Sequence, residues 1–498
     1  AQAISAQTIC GSSRLGSRES RPRPSPPRRV RNDMLPVARP VLDGRFVRRA
    51  TRACATVAGG KVHAANAPSH VAGSSLPFSE LKQKPMAHTT HLGRARAINL
   101  AAGAAALPLE VLERAAKGFV DTDGTGMSVA EMGYRTKPFH AIMERAETGL
   151  RQLLSIPDSH EVHFFNGGAT LQFSAIPLNL LGGRNEGKTA NYLMSGHWSE
   201  KARNEARVFG KVTEVAVDPK GLYFEIPDAK TWEMDKEGAY FHYTSADTRQ
   251  GLEIRDFDFS AVPEGMPICC DASANLGSHP IDVSKYGVLY AASHKNFSTA
   301  GVCYSIIRRD LISDSTQLRA MPTMCNWLTF QNAPNKIYNV PVLVSVWLGA
   351  LNAEWMIERG GVAAFEELAI RRSRLLYDYI DGSQGFYRTF VTSEAFRSRM
   401  QVVFTIGSGA GRDHELVERF LDEANQELGW LDIRSHPLGL PSDAIRVTMY
   451  NHQTEETVKV VREFMHAFHK RHCSRDLGAS AAEARSPLEP TSRPAAQA

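Results

Sequence analysis

The residues best suited to chemistry in this 498-residue chain lie in two short segments, Cys270-Asp271-Ala272-Ser273 and Ser293-His294-Lys295-Asn296. Each closes a short apolar run, 268–270 or 288–291, and open α/β sheets bind their ligands at strand carboxyl ends. A lysine after an apolar run is by itself an ordinary surface residue at a strand end. An aspartate on one strand end and a lysine on the next, 24 residues on, is the pair a pyridoxal phosphate enzyme needs. The amine forms the Schiff base, and the carboxylate keeps the pyridine nitrogen protonated so that the ring can accept electrons. Two further segments fit such a site. Asn166-Gly167-Gly168-Ala169-Thr170 lies between a run ending at Phe165 and a helical pattern beginning at Leu171, so backbone NH groups at a helix start could hold the cofactor phosphate. Trp198 follows the run 192–194 and is placed to stack on a pyridine face or to fill core.

Other motifs carry less. Residues 182–189 satisfy GxxxxGK[ST], but a phosphate-cradling loop must leave a strand and open a helix, and here an apolar helical stretch precedes and a strand run follows. A helix-to-strand turn is expected, and a nucleotide hydrolase built on Lys188 is the remote alternative. Gly407, Gly409 and Gly411 approach a dinucleotide fingerprint, with Arg412 where its last glycine should stand. His88 and His91 have no neighbouring ligand partners, and the seven cysteines show neither CxxC nor metal-ligand spacing, so no metal site is expected and the thiols read as reduced.

The elements that would position the site alternate. Apolar runs at 162–165, 192–194, 212–217, 240–243, 268–270, 288–291 and 302–307 read as buried strands; helical periodicity fits 109–119, 139–154, 171–181, 199–209, 342–359 and 365–380. Strands separated by helices predict an α/β fold with a mostly parallel sheet covered on both faces. After Gly361 the order changes to helix, strand (401–406), helix (413–428), strand (445–450), helix (454–472), which predicts a smaller α+β carboxy-terminal domain. No apolar run reaches the ~18 residues that span a bilayer.

Charge is unevenly placed. Residues 1–90 hold 15 Lys and Arg against 4 acids, a surplus of +11 that leaves −6 of the total +5 for the rest of the chain. Twelve arginines within the first 52 residues, mixed with Ser, Ala and Pro, have the composition of an organellar transit segment, to plastid or mitochondrion, the alternatives being an ordinary disordered basic tail or a nucleic-acid-binding arm. The remaining chain offers no polyanion-binding surface, so neither a nucleic-acid nor a membrane partner is expected.

Over nearly the whole of residues 97–470 the chain resembles the phosphoserine aminotransferases, in the class V branch of the fold-type I pyridoxal phosphate enzymes. The resemblance is carried by residues 107–112, 165–181 (FNGGATLQFSAIPLNLL), 195–199, 271–287 (DASANLGSHPIDVSKYG), 294–296, 301–311, 337–341, 385–388, 397–400 and 445–451. It implies a homodimer with a large cofactor domain at 109–354 and a small domain of 95–108 with 355–475, while composition sets apart a leader at 1–94 and a tail at 476–498. It further implies Lys295 as the Schiff-base lysine, Asp271 as the pyridinium partner, Trp198 as the stacking ring and Thr248 on the cofactor's phenolic oxygen. Ala169, Thr170 and His294 would form the phosphate cup, with Asn339 reaching in from the other subunit. Arg446 would take the substrate α-carboxylate, a bidentate task suited to guanidinium; Arg135 and His436 would meet the distal anion.

Departures fall on anion contacts. The family usually has His where Tyr134 stands, Arg where Pro437 stands, Gln at His294 and an Asn-Thr pair at Asn339-Val340. Charge-assisted hydrogen bonds contribute ~1.5–3 kcal/mol each, so two lost donors bear on substrate choice. The expected reaction is amino transfer between L-glutamate and 3-phosphohydroxypyruvate; the alternative keeps fold and cofactor with an unphosphorylated substrate.

Overall fold

The structure, a computed structural model, describes residues 96–407, 413–428 and 444–473. The expected leader and tail, and His436 with Pro437, lie outside the described residues.

Strands β1 (His160–Asn166), β2 (Ala190–Leu193), β3 (Val212–Val215) and β4 (Tyr240–Thr244) come first, followed by the two-residue β5 (Ala246–Asp247) and β6 (Leu252–Glu253), then β7 (Ile268–Asp271), β8 (Val288–Ala292) and β9 (Val302–Arg308). All but β5 and β6, which form their own hairpin, join one sheet in the order β1-β9-β8-β7-β4-β2-β3. The pairs β2–β3, β2–β4, β4–β7 and β7–β8 are parallel, and β9 runs against both β8 and β1. Strand β1 therefore points the same way as the parallel strands, and their carboxyl ends share one edge.

Successive strand residues enter different cores, as the two-residue repeat requires. Phe241, Tyr243, Cys270 and Leu289 join one cluster, whereas Tyr240, Cys269, Val288 and Tyr290 join the other. Burial on both faces is why these strands read as unbroken apolar runs. Helices α1 (Leu109–Gly118), α2 (Lys137–Leu154), α3 (Gly168–Leu180), α4 (His197–Phe209), α5 (Trp327–Asn332) and α6 (Leu343–Glu358) supply the cover. Residues of α1, α2 and α6 fill the first cluster and residues of α3 and α4 the second. Helix α2 begins where the Thr136 hydroxyl accepts from the Phe139 NH, with Pro138 in its first turn, and ends at Ser155 in left-handed backbone. Helix α6 is apolar all round because it is buried nearly all round. No described helix is long and apolar enough to cross a membrane.

Beyond α7 (Gly361–Asp381), strands β10 (Tyr387–Thr389), β11 (Gln401–Ile406) and β12 (Ile445–Thr448) form an antiparallel sheet that shares a core with α7, α8 (His414–Leu428) and α9 (Glu455–His472). Leu100, from the start of the described chain, is buried in the same core. Asn451 clasps this region to the large sheet: its NH donates to Asn296 Oδ1 (3.0 Å) and its Nδ2 to the Gly277 carbonyl (2.8 Å). Residues 182–189 form the expected helix-to-strand turn between α3 and β2, and a Cβ on Gly182 would overlap the Gln317 carbonyl oxygen. No helix opens from it, so the nucleotide-hydrolase alternative lacks its phosphate cradle.

Candidate active site

A cavity of about 710 Å³ opens at the shared carboxyl edge, within the ~300–1,000 Å³ range of small-molecule sites. Lys295, Asp271, His294 and Trp198 line it, together with Thr248, Arg446 and the first turn of α3 at Ala169 and Thr170. Strands β7 and β8 deliver the first two: Asp271 is the last residue of β7, and Lys295 follows β8 by three positions. Both are buried, at 3% and 7% exposure. Burial drives each toward its neutral form, the Lys295 amine below the usual lysine range and the Asp271 carboxyl above its usual one. Each opposes the other's shift through its charge, yet among the described residues no direct ion pair joins them. Asp271 is held from behind, where its Oδ1 accepts from the Ser273 NH at 2.9 Å. Asn296, beside Lys295, is tied at its side chain to Leu276 and at its carbonyl to Asn352.

Trp198 is fixed at both ends. Its backbone NH donates to Asp247 Oδ2 (3.0 Å) and its indole Nε1 donates to Thr248 Oγ1 (3.1 Å). The Lys295 Nζ stands 5.5 Å from the ring centroid. Sequence reasoning missed Asp247, a fully buried carboxylate whose Oδ1 also accepts from the Arg249 NH at 2.8 Å. It sits in the β5–β6 hairpin, too short to show periodicity. Gly196 lets this carboxylate approach: its φ is +142°, and an added Cβ would meet Asp247 Oδ2 at 2.6 Å. Gly196→Ala is expected to displace Asp247 and with it Trp198, weakening cofactor retention by about 1–3 kcal/mol. Dissociation of the cofactor, followed by its absorbance after gel filtration, measures this; retention equal to the parent would refute the coupling.

The first turn of α3 has no side-chain cap and no acidic residue, and Gly167 before it has φ +97°. Its NH groups are thus available to an anion at the positive end of the helix dipole. His294 borders the same space. Burial, helped by Lys295, pushes its imidazole down to about 4, so the ring is neutral at any pH well above that. His294→Gln should therefore leave the shape of the pH–rate profile unchanged above that range while altering cofactor affinity by less than about tenfold. Loss of an ionisation from the profile would show that His294 titrates in function.

Arg446, on β12, reaches across from the small sheet, and its Nη1 donates to the Thr248 carbonyl at 3.3 Å. Arg249 also lines the cavity and is 8% exposed; no sequence motif marked it. Two expected residues lie elsewhere. Arg135 is exposed, its Nε donating to the Tyr134 hydroxyl (3.0 Å), and Asn339 borders a different cavity with its Nδ2 3.3 Å from Met324 Sδ. Within one chain neither enters the cleft. His436 lies outside the described residues.

The donor set fits pyridoxal phosphate: a buried amine and a buried carboxylate border one cavity beside an anchored indole, and an uncapped helix end supplies the anion seat. With the seven-stranded sheet, this defines a fold-type I pyridoxal phosphate-dependent aminotransferase. A family model for class-V aminotransferases matches residues 97–461. The chain is 37% identical to a phosphoserine aminotransferase of Laribacter hongkongensis over 375 residues, covering 75% of this chain and 99% of that protein. It is 38% identical to one of Drosophila melanogaster, covering 75% and 98%. The solved phosphoserine aminotransferase from Bacillus circulans subsp. alkalophilus superposes with a TM-score of 0.70 at 34% identity, covering 76% of this chain and 99% of that one. The PLP-bound phosphoserine aminotransferase from Trichomonas vaginalis gives 0.68 at 32%, covering 74% and 100%. The chain belongs to the class-V aminotransferases and, within them, to the phosphoserine aminotransferase family.

Proposed function

We propose that the protein transfers an amino group reversibly between L-glutamate and 3-phosphohydroxypyruvate, giving O-phospho-L-serine and 2-oxoglutarate in L-serine biosynthesis, with pyridoxal phosphate in the cavity between Lys295 and Asp271. The observation that carries the reading is that these two buried side chains border one space beside Trp198 without pairing directly. When bound, the cofactor supplies an electron sink for bond breaking at the substrate α-carbon. Lys295 carries the α-proton at its Nζ, a task that needs its neutral form, which burial favours. Asp271 holds the proton on the pyridine nitrogen, Trp198 covers the ring and Thr248 meets the phenolic oxygen. Ala169, Thr170 and His294 hold the phosphate. Arg446 orients the α-carboxylate.

The absorbance of the purified holoenzyme tests this. Its visible band should respond to O-phospho-L-serine and far less to L-serine. An equal response would favour the unphosphorylated substrate that Tyr134 and Pro437 leave open.

A homodimer completes the reading. Asn339 and Arg135 neighbour an exposed apolar face of Tyr134, Tyr338, Val340 and Val342. Asn166 ties this segment to the loop after β1 at the cleft, donating to the Val340 carbonyl and accepting from the Val342 NH. A second copy seated here would bring its Asn339 and Arg135 to the cleft. Mixing Lys295→Ala with Arg135→Ala subunits should then restore activity that neither shows alone, because hybrid dimers contain one intact site; no recovery after confirmed subunit exchange counts against shared sites. The arginine-rich leader is read as an organellar address, and a reporter fused behind residues 1–94 that stays in the cytosol would remove that assignment.

A further inference from the structure

Helix α6 is buried nearly all round, and Ser345 and Asn352 are fully buried with it. A hydroxyl or an amide in such a place costs free energy unless it is bonded. Both are directed at one short stretch of chain. Asn352 donates through Nδ2 to the carbonyls of Asn296 (2.8 Å) and Phe297 (3.1 Å), and Ser345 donates through Oγ to the carbonyl of Thr299 (2.9 Å). Ser298 returns a bond, its hydroxyl donating to the Ser345 carbonyl at 2.6 Å. That stretch begins one residue after Lys295. The Asn352 amide uses both its protons there, whereas its Oδ1 finds no partner among the described residues. A leucine has the same branching without an unpaired oxygen, so burial alone gives no reason for an amide at this position.

A second grip comes from the small sheet. Asn451, which follows β12, donates its NH to Asn296 Oδ1, and Asn296 Nδ2 donates to the Leu276 carbonyl at 3.1 Å. The residue after Lys295 is thus held at its carbonyl by α6 and at its side chain by two other segments. A lysine reaches through a flexible four-carbon stem, so its amine is placed to the ~0.5 Å that catalysis requires only if the backbone beneath it is fixed. We propose that Asn352 is a positioning residue for the amino-transfer reaction: by holding the carbonyls of the two residues that follow Lys295, it sets where the Nζ can reach between cofactor and substrate α-carbon. The proposal rests on the aminotransferase reading and deepens it with a residue that does not border the cavity.

The test compares Asn352→Leu with Val346→Ala, both as holoenzyme. Val346 is equally buried on the same helix, and its side chain can make no hydrogen bond. Neither substitution alters Asp271, Asp247, Arg446 or His294, the groups that act on Lys295 through charge, so a change in the amine's behaviour reports its position. Asn352→Leu should lower kcat about tenfold or more while KM moves less than about threefold, as expected when the equivalent of one hydrogen bond is lost in the transition state alone. The pH at which the holoenzyme's visible band is half converted should move by about half a unit or more. Val346→Ala should lower the melting temperature and move neither quantity. Should leucine prevent folding, Asn352→Ala removes the same donors without overpacking and carries the same expectation. A lowered melting temperature with kcat and the pH midpoint unchanged from the parent would make Asn352 structural only and overturn the proposal, as would equal losses in Val346→Ala. A parent holoenzyme without a visible band would instead remove the cofactor reading, and the proposal with it.

Discussion

Lys295→Ala is expected to lower amino transfer by about 10³-fold or more at saturating cofactor, since it removes both the covalent attachment point and the proton carrier. General acid–base groups alone contribute ~10²–10⁴-fold. The variant should fold, because the turn that carries residue 295 is held by its neighbours: Asn296 bonds to Leu276, Asn352 and Asn451 through atoms that the substitution does not touch. Two measurements separate a chemical role from a structural one. Borohydride reduction of the parent should fix the cofactor on the peptide containing Lys295, and the variant should yield no fixed cofactor. Small primary amines such as methylamine should then restore part of the rate, since they fit the volume vacated by the side chain and carry a proton at a similar place. Lys295→Arg should not be restored, because guanidinium stays protonated and fills the space. Activity within tenfold of the parent, or an adduct on another lysine, would end the assignment.

The parts of this site that were legible in the sequence are those whose chemistry and local order coincide. Lys295 and Asp271 each terminate an apolar run, so residue type and strand end point the same way, and the parallel register of β7 and β8 then brings them to one edge. The glycines at 167 and 168 were legible for the same reason, since strand, loop and helix follow in the order an anion seat requires. The same context rule correctly sets aside residues 182–189, where helix precedes strand. Asp247 and Arg249 carry no such signal. They lie on a hairpin of two-residue strands whose placement comes from long-range ties, such as the Glu253 carboxylate accepting from the Arg399 NH at 2.7 Å and the Gly251 carbonyl accepting from Ser398. Nothing in a run of two residues reports contacts made 146 positions away. Strand β10 escaped for the same reason, being three residues long. Arg135 and Asn339 present the opposite case: resemblance names them, yet a single chain keeps them on its surface, so their expected contribution requires a second copy.

Asp271→Asn should be the second severe lesion, and its comparison with Asp247→Asn separates two buried carboxylates that burial shifts in the same direction. Both are almost fully withdrawn from water, both feel Lys295, and both accept from backbone NH groups, so burial and charge do not distinguish their roles. Position does. Asp271 borders the cavity, whereas both oxygens of Asp247 are turned to the backbone, toward Trp198 and Arg249. Asparagine at 271 can still accept from Ser273 through its side-chain oxygen, so the local fold is kept, but it cannot stabilise a proton on the ring nitrogen. Breaking a buried, charge-assisted pair of this kind costs about 3–5 kcal/mol. If that loss falls on the transition state, it corresponds to ~10²–10⁴-fold in rate, and it should appear mainly in kcat. Asp247→Asn instead removes the charge that holds the Trp198 backbone and the hairpin, so it should loosen cofactor binding and leave the rate at saturating cofactor much less affected. Measuring kcat and cofactor dissociation for both variants therefore gives a crossed pattern, with chemistry lost at 271 and retention lost at 247. Finding the reverse pattern would reassign the electron-sink partner to Asp247 and displace Asp271 from the mechanism.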